Sequence, residues 1–152
     1  EPDDGMRFIS NRAHGALGYA LPAAIGAHYA RPDAKTVAVM GDGSFGFCNG
    51  ELETLARLAL PMTAIVVSNG SFGWIKAGQK SGYEGRYFSV DFQPTDHARV
   101  AEAYGVKSWR VEEPAQLAPT LADALAHAGP TLVDVISQPL EDASAPVGEW
   151  VA

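Results

Sequence analysis

Two short aliphatic segments, each followed at once by a glycine-containing loop, constrain the fold of this chain more than any other feature. Residues 36–40 (TVAVM) lead into the loop GDG at residues 41–43, and residues 63–67 (TAIVV) lead into SNG at residues 68–70. Short, apolar, β-branched runs bounded by turn residues indicate buried strands, and strands covered on both faces are typical of parallel sheets. Loops that follow neighbouring parallel strands meet at one edge of the sheet, so we expect these two loops to lie side by side.

Helical patterns alternate with apolar runs along the rest of the chain. The predicted helices cover residues 15–30, 49–60, 71–80, 95–104 and 114–128, and further strands cover residues 109–111 and 131–136. This alternation predicts an α/β fold in three layers, with a mostly parallel sheet and helices on both faces. The 152 residues are enough for one core, so we predict a single domain in which residues 1–8 and 138–152 are extended or flexible.

Composition limits the partners of the chain. Eighteen Asp and Glu against eleven Lys and Arg give a formal net charge of −7, without a basic cluster. We therefore expect neither a nucleic acid nor a membrane as partner. A single cysteine, Cys48, excludes an internal disulfide and is typical of a reducing compartment, which predicts a cytoplasmic protein.

An aspartate in the middle of the first glycine loop points to a metal ion. Residues 41–46 read G-x-G-x-x-G, and such loops bind phosphate through backbone N–H groups, here those near Gly43 and Ser44. A carboxylate that faced phosphate directly would be repelled, whereas Mg²⁺ between them attracts both. Mg²⁺ prefers hard oxygen ligands, and Asp42 and Asn69 provide a charged and a neutral one.

The same loops allow two other interpretations. A nicotinamide- or flavin-binding fold requires an acidic residue about 20 positions after the glycine loop, at the end of the next strand. That strand ends in Ser68-Asn69, which disfavours a dinucleotide. The second alternative is that Asp42 and Asn69 are ordinary turn residues that hydrogen-bond to their own backbone.

The loops and their spacing resemble a known motif. GDG at residues 41–43, 25 intervening residues and Asn69-Gly70 resemble the thiamine-diphosphate motif written GDG…NN, with Ser68 in place of its first asparagine. The flanking segments GALGYALPAAIGA, ELETLARLALP and NGSFGW are similar too. The chain thus resembles the C-terminal, diphosphate-binding domain of the acetolactate synthase, benzoylformate decarboxylase and pyruvate oxidase superfamily. This resemblance implies the thiamine-diphosphate-binding fold and decarboxylation or carboligation of 2-keto acids, with the cofactor as electron sink.

The resemblance also implies site residues. The implied cofactor-binding residues are Gly15, Leu17, Gly41, Asp42, Gly43, Ser44, Asn69, Ser71, Phe72 and Gly73. Three of them, Asp42, Asn69 and Ser71, would hold Mg²⁺, the last through its main-chain oxygen. Gly15 and Leu17 align with residues whose backbone meets the aminopyrimidine ring, and Leu17 also aligns with an apolar residue that bends the cofactor.

A complete enzyme of this superfamily needs a second domain. Its activating glutamate lies on a separate pyrimidine-binding domain, normally of another subunit, and Glu51 and Glu53 lie on the wrong helix to replace it. The resemblance therefore implies a partner domain or subunit and a homo- or hetero-oligomer, and it places no catalytic residue on this chain. The alternative is a non-catalytic assembly or binding module that keeps the fold.

The substrate is left open at the level of sequence. Acetolactate synthases carry a bulky tryptophan at the position that aligns with Gly78, although Trp74 is close by. Sulfopyruvate and phosphonopyruvate decarboxylases have similar domains, and Lys76 and Lys80 are candidate cations for such an anionic substrate. His97, on a predicted outer helix, is expected to be exposed to solvent.

Overall fold

Strands and helices alternate along the chain, as predicted. The computed structural model describes residues 7–11 and 15–139. The strands are β1 Thr36–Gly41, β2 Met62–Ser68, β3 Lys107–Val111 and β4 Thr131–Ile136, and the helices are α1 Ala20–Ala30, α2 Asp42–Gly46, α3 Glu51–Arg57, α4 Gly73–Gly82, α5 His97–Ala103 and α6 Pro114–Ala126. The short helix α2 was not predicted, because five residues are too few to establish a helical period.

All four strands are parallel, in the order β1-β2-β4-β3. Gly41, the last residue of β1, is level with Val67 of β2, and Ser68, the last residue of β2, is level with Ile136 of β4. The two glycine loops therefore leave the sheet from adjacent strands at the same edge. The predicted neighbourhood of these loops is confirmed.

The larger core lies between the sheet and helices α1, α3 and α5. Leu21 of α1, together with Leu52 and Leu55 of α3, is fully buried. These helices pack on the side chains of β1 and β2 that alternate towards this face, among them Met40 and Ala64. This layer fixes the ends of β1 and β2, from which both loops depart.

The second face of the sheet is covered by α6, so helices lie on both faces, as predicted. Ala124 of α6 packs with Val111 and Val133. The start of α6 is fixed by a capping box between Glu113 and Gln116, which satisfies backbone groups that no helical bond reaches. Over β1 and β2, the described residues leave this second face partly open, and Val39 is 60% exposed.

The predicted extended segments 1–8 and 138–152 lie mostly outside the described residues. Residues 7–8 and 138–139, which are described, have no regular secondary structure. Among the helices of residues 7–11 and 15–139, none combines the length and apolar character that a membrane span requires.

Candidate functional site

The side chain of Asp42 joins the two glycine loops. Asp42 is the first residue of α2 and is 6% exposed. Its Oδ1 accepts a hydrogen bond from the Gly43 N–H (2.8 Å), and its Oδ2 accepts one from the Gly70 N–H (2.7 Å). Each carboxylate oxygen keeps a further lone pair for a ligand. The buried carboxylate therefore holds the loops together and still presents free acceptor sites.

The second loop is folded around Asn69. The Asn69 Oδ1 accepts hydrogen bonds from the Ser71 N–H (3.1 Å) and the Ser71 hydroxyl (3.5 Å), which closes a turn of the Asx type. Gly70 has a φ of +74°, a left-handed conformation that glycine adopts without strain. Beyond the turn, the Phe72 N–H donates to the Val90 carbonyl (2.8 Å). The predicted ligand residues Asp42 and Asn69 thus lie on two loops that are joined by the bond from the Gly70 N–H to Asp42 Oδ2.

Gly43 is a glycine because an aromatic ring lies against it. A Cβ atom at this position would be 2.7 Å from two ring carbons of Phe72, well inside van der Waals contact. Phe72 also packs edge-to-face with Phe92, with ring centroids 4.6 Å apart. Phe72 therefore supports the first loop, and the adjacent Gly73 begins α4.

The turn before α1 is tied to the same site. The Gly18 N–H donates to the Ser44 Oγ (2.9 Å), and this bond places the exposed Leu17 beside α2. Gly15 and Gly18 both have positive φ angles, +52° and +83°. These left-handed residues interrupt a helix, so the prediction that a helix begins at residue 15 is wrong and α1 begins at Ala20.

A buried polar network lies under the second loop, and sequence reasoning missed it. Asp134 of β4 is 0% exposed. Its Oδ1 accepts a hydrogen bond from the Ser68 hydroxyl (2.6 Å). Its Oδ2 accepts one from the backbone N–H of His97 (3.1 Å) and one from Arg110 Nη1 (3.2 Å). The His97 Nδ1 lies 3.0 Å from Ser68 Oγ. The His97 side chain is only 13% exposed, so the prediction that it faces solvent is wrong.

The network keeps a charge inside the fold. Burial alone raises the pKa of Asp134, but hydrogen bonds from His97 and Ser68 and the nearby imidazole outweigh it and hold this pKa below its ordinary value of 3.8. The guanidinium of Arg110 provides a further opposite charge and is itself shared with Glu112, 2.8 Å away. Asp134 is therefore an ionised acceptor for donors from three elements.

The loops and the network open on one cavity at the carboxyl edge of the sheet. Its volume is about 840 Å³, and its lining includes Asp42, Gly43, Asn69, His97 and Arg110. Ligand sites of small molecules and cofactors commonly have volumes of about 300 to 1,000 Å³. A cavity in this position is where open parallel sheets bind their ligands.

The donor atoms at this cavity suit one kind of metal ion. Within the described ranges, no group of three or more His, Cys, Asp or Glu side chains could hold a metal. A cation here would rest on the Asp42 carboxylate and the Asn69 amide oxygen, which both line the cavity, with other positions left for water or phosphate. Mg²⁺ accepts such a set, whereas zinc sites are built from Cys and His. The fold and site together define a parallel α/β domain with a polar, ligand-sized cavity at the carboxyl edge of its sheet.

The family follows from comparison with known proteins. Residues 2–135 match the family described as "Thiamine pyrophosphate enzyme, C-terminal TPP binding domain", so the chain belongs to this family of thiamine-diphosphate enzymes. The thiamine diphosphate-dependent 4-hydroxybenzoylformate decarboxylase of Rhodococcus jostii superposes with a TM-score of 0.77 and 32% sequence identity, over 82% of this chain and 24% of that one. The predicted superfamily and fold are thereby confirmed.

Curated relatives are longer proteins. The acetolactate synthase of Bacillus subtilis is 41% identical over 128 residues, which are 84% of this chain and 22% of that protein. The probable acetolactate synthase large subunit of Methanococcus aeolicus is 34% identical over 133 residues, or 87% and 22% of the two chains. This chain thus spans about a fifth of the length of these relatives and corresponds to one domain of them.

Proposed function

We propose that this chain is the diphosphate- and Mg²⁺-binding part of a thiamine-diphosphate-dependent enzyme that acts on 2-keto acids. The contact that carries the proposal is the hydrogen bond from the Gly70 N–H to Asp42 Oδ2, at 2.7 Å. It brings the buried carboxylate of the first loop beside Asn69 of the second, at the mouth of the cavity. When bound, the cofactor supplies an electron sink for decarboxylation.

Specific residues would divide the binding between them. Asp42, Asn69 and the main-chain oxygen of Ser71 would hold Mg²⁺, which in turn would neutralise the diphosphate. The Gly43 N–H is bonded to Asp42 Oδ1, so the Ser44 N–H in the first turn of α2 would be the donor to a phosphate oxygen. Leu17, which is 47% exposed beside Ser44, would support the thiazolium end of the cofactor.

The activating glutamate would come from elsewhere. Glu51 accepts a hydrogen bond from the Thr54 hydroxyl at 3.0 Å, and Glu53 pairs with Arg57 at 2.8 Å. Both carboxylates are thus engaged on α3. This supports a separate pyrimidine-binding domain or subunit, and with it an oligomeric assembly. The cytoplasmic location stays a prediction.

An acetolactate-synthase-like carboligase or decarboxylase is the function we propose for the assembled enzyme. The relatives carry these two names, acetolactate synthase and 4-hydroxybenzoylformate decarboxylase. Lys76, a candidate cation for a sulfonate or phosphonate substrate, lies 2.7 Å from Asp91, which neutralises it. Trp74 in the first turn of α4 is 58% exposed and offers an apolar surface. The ion pair disfavours Lys76 as the partner of an anionic substrate and leaves Lys80 as the candidate cation on α4.

The test is a calorimetric titration of the full chain with thiamine diphosphate, with Mg²⁺ and then with EDTA. We expect Mg²⁺-dependent binding in the millimolar range, because this domain would supply only one half of the cofactor site. Asp42→Asn should abolish the Mg²⁺ dependence. Asp123→Asn removes the same charge from the exposed side of α6 and should leave the binding unchanged.

Three outcomes would contradict the proposal. Mg²⁺-dependent binding that survives in Asp42→Asn would show that Asp42 is not a ligand. Metal-independent binding of NAD would indicate a dinucleotide site. Absence of binding, even with the pyrimidine-binding domain of a related enzyme added, would favour the non-catalytic assembly module.

A further inference from the structure

The peptide that joins Ser68 to Asn69 is held from both sides. The Ser68 hydroxyl donates to Asp134 Oδ1 at 2.6 Å. The Ser68 carbonyl oxygen accepts from the Ser137 N–H at 2.9 Å and from the Ser137 hydroxyl at 3.3 Å. This carbonyl is part of the peptide plane that leads into Asn69. Fixing the plane restricts the directions in which the Asn69 side chain can leave the backbone.

The hydrogen-bond geometry favours a proton on the Nδ1 atom of His97. A serine hydroxyl has one proton, and the 2.6 Å separation from the ionised Asp134 shows that this proton points to the carboxylate. The lone pairs of Ser68 Oγ therefore face His97 Nδ1, 3.0 Å away, and Asp134 Oδ1 lies 3.5 Å from the same nitrogen. Since both neighbours are acceptors, Nδ1 carries a proton and donates it.

We infer that His97 is a positioning residue of the candidate metal site: with Asp134 it immobilises Ser68 and, through Ser68, the metal ligand Asn69. The family motif has asparagine where this chain has Ser68. A serine hydroxyl has one proton, which Ser68 donates to Asp134, so its oxygen is left to accept from the His97 Nδ1–H. The inference rests on the proposed function only in naming Asn69 a metal ligand.

A purely structural role for His97 makes a different prediction. His97 also begins α5, so its loss could weaken the attachment of that helix to the sheet. Ser108 provides the control, because its hydroxyl donates to the Ala98 carbonyl at 2.7 Å and ties the same helix to β3 without touching Ser68. If His97 only anchors α5, then Ser108→Ala should reproduce every effect of a His97 variant.

The first readout needs no ligand. Backbone ¹⁵N relaxation of Asn69 and Gly70 would be measured in the full chain for the wild type, His97→Ala, His97→Asn and Ser108→Ala. We expect increased mobility of both amides in His97→Ala alone, because the side-chain amide introduced by His97→Asn can donate from nearly the position of Nδ1. Unchanged mobility in His97→Ala, or an equal increase in Ser108→Ala, would overturn the inference.

The second readout is metal affinity, with Mn²⁺ and inorganic diphosphate as the probe. We expect His97→Ala to weaken Mn²⁺ binding about five- to tenfold, which corresponds to one lost hydrogen bond. Ser68→Ala should act similarly, and the double variant should be no weaker than either single variant, since both remove one unit. Additive losses, or none, would count against the inference. If the wild type does not bind the probe, the proposed function fails, and the amide mobilities alone decide the role of His97.

Discussion

At the scale of single residues, Asp134 combines complete burial with a full negative charge. Such a group is stable only while all of its donors are in place, because an unpaired buried polar group loses its hydration without compensation. Asp134→Asn keeps the shape but turns an NH₂ group towards the donors of Ser68, His97 or Arg110. We expect a loss of about 3 kcal/mol in the free energy of unfolding, measured by urea denaturation. A loss below about 1 kcal/mol would show that the network is not tightly coupled.

The same residue predicts a pH dependence. Because the pKa of Asp134 is lowered from 3.8 in the folded chain, the unfolded chain binds this proton more readily. The stabilisation is complete above the unfolded pKa and is lost as the pH falls through 3.8 towards the lower folded pKa. Between about pH 5 and pH 3, the wild type should therefore lose more unfolding free energy than Asp134→Asn. Parallel pH profiles for the two proteins would contradict this.

At the scale of elements, replacement by alanine should have opposite effects on stability at two glycines, one before α1 and one within it. Gly18 has a φ of +83°, and a Cβ there would lie 2.9 Å from Phe47 Cβ. Gly26 lies inside α1, and a Cβ added to it would meet no atom within 4 Å. Gly18→Ala should cost about 2 kcal/mol of unfolding free energy through backbone strain and contact, whereas Gly26→Ala should add about 0.5 to 1 kcal/mol. Urea denaturation of both variants checks the contrast, and equal effects would exclude the left-handed turn.

The positions of helices and strands could be predicted from the sequence wherever apolar residues recur at a regular spacing or a glycine or proline ends the element. β1, β2 and β4 follow from β-branched runs, and the end of α5 from Gly105, whose φ is +80°. β3 has one β-branched residue and begins at Lys107, two residues before the predicted strand. The start of α1 was misplaced, at residue 15 instead of Ala20, because small apolar residues fit a helix and a glycine turn equally well. Composition alone does not distinguish these two backbones; the φ angles do.

At the scale of the whole molecule, one row of side chains crosses the sheet and is buried at one strand but exposed at another. Val39, Ile65, Val133 and Trp109 are level with one another on successive strands. Val133 lies under α6 and is 0% exposed, whereas Val39 is 60% exposed. Val133→Thr buries a hydroxyl and should cost about 1 to 3 kcal/mol, while Val39→Thr should stay within about 0.5 kcal/mol. Comparable costs in urea denaturation would mean that another part of the chain covers Val39.

The two loops of the site could be predicted, and the network behind them could not. Asp42 and Asn69 each follow an apolar strand directly, so local pattern and sheet topology suffice to bring them together. Ser68, His97 and Asp134 lie 29 and 37 residues apart along the chain, on three elements with no shared motif. Only the strand order β1-β2-β4-β3 places Asp134 beside Ser68, and sequence periodicity carries no information on that order.

The position of β4 has a consequence for how the domain is made. Among the four strands of the described sheet it is the last to be synthesised, yet it lies inside, between β2 and β3. Until it emerges from the ribosome, β2 exposes an open hydrogen-bonding edge, and Ser68 lacks both Asp134 and Ser137. Non-local parallel pairing of this kind is slow and leaves nascent chains prone to aggregation. Translation must therefore deliver β4 and Ser137 before Ser68 at the ligand-binding edge can gain these partners.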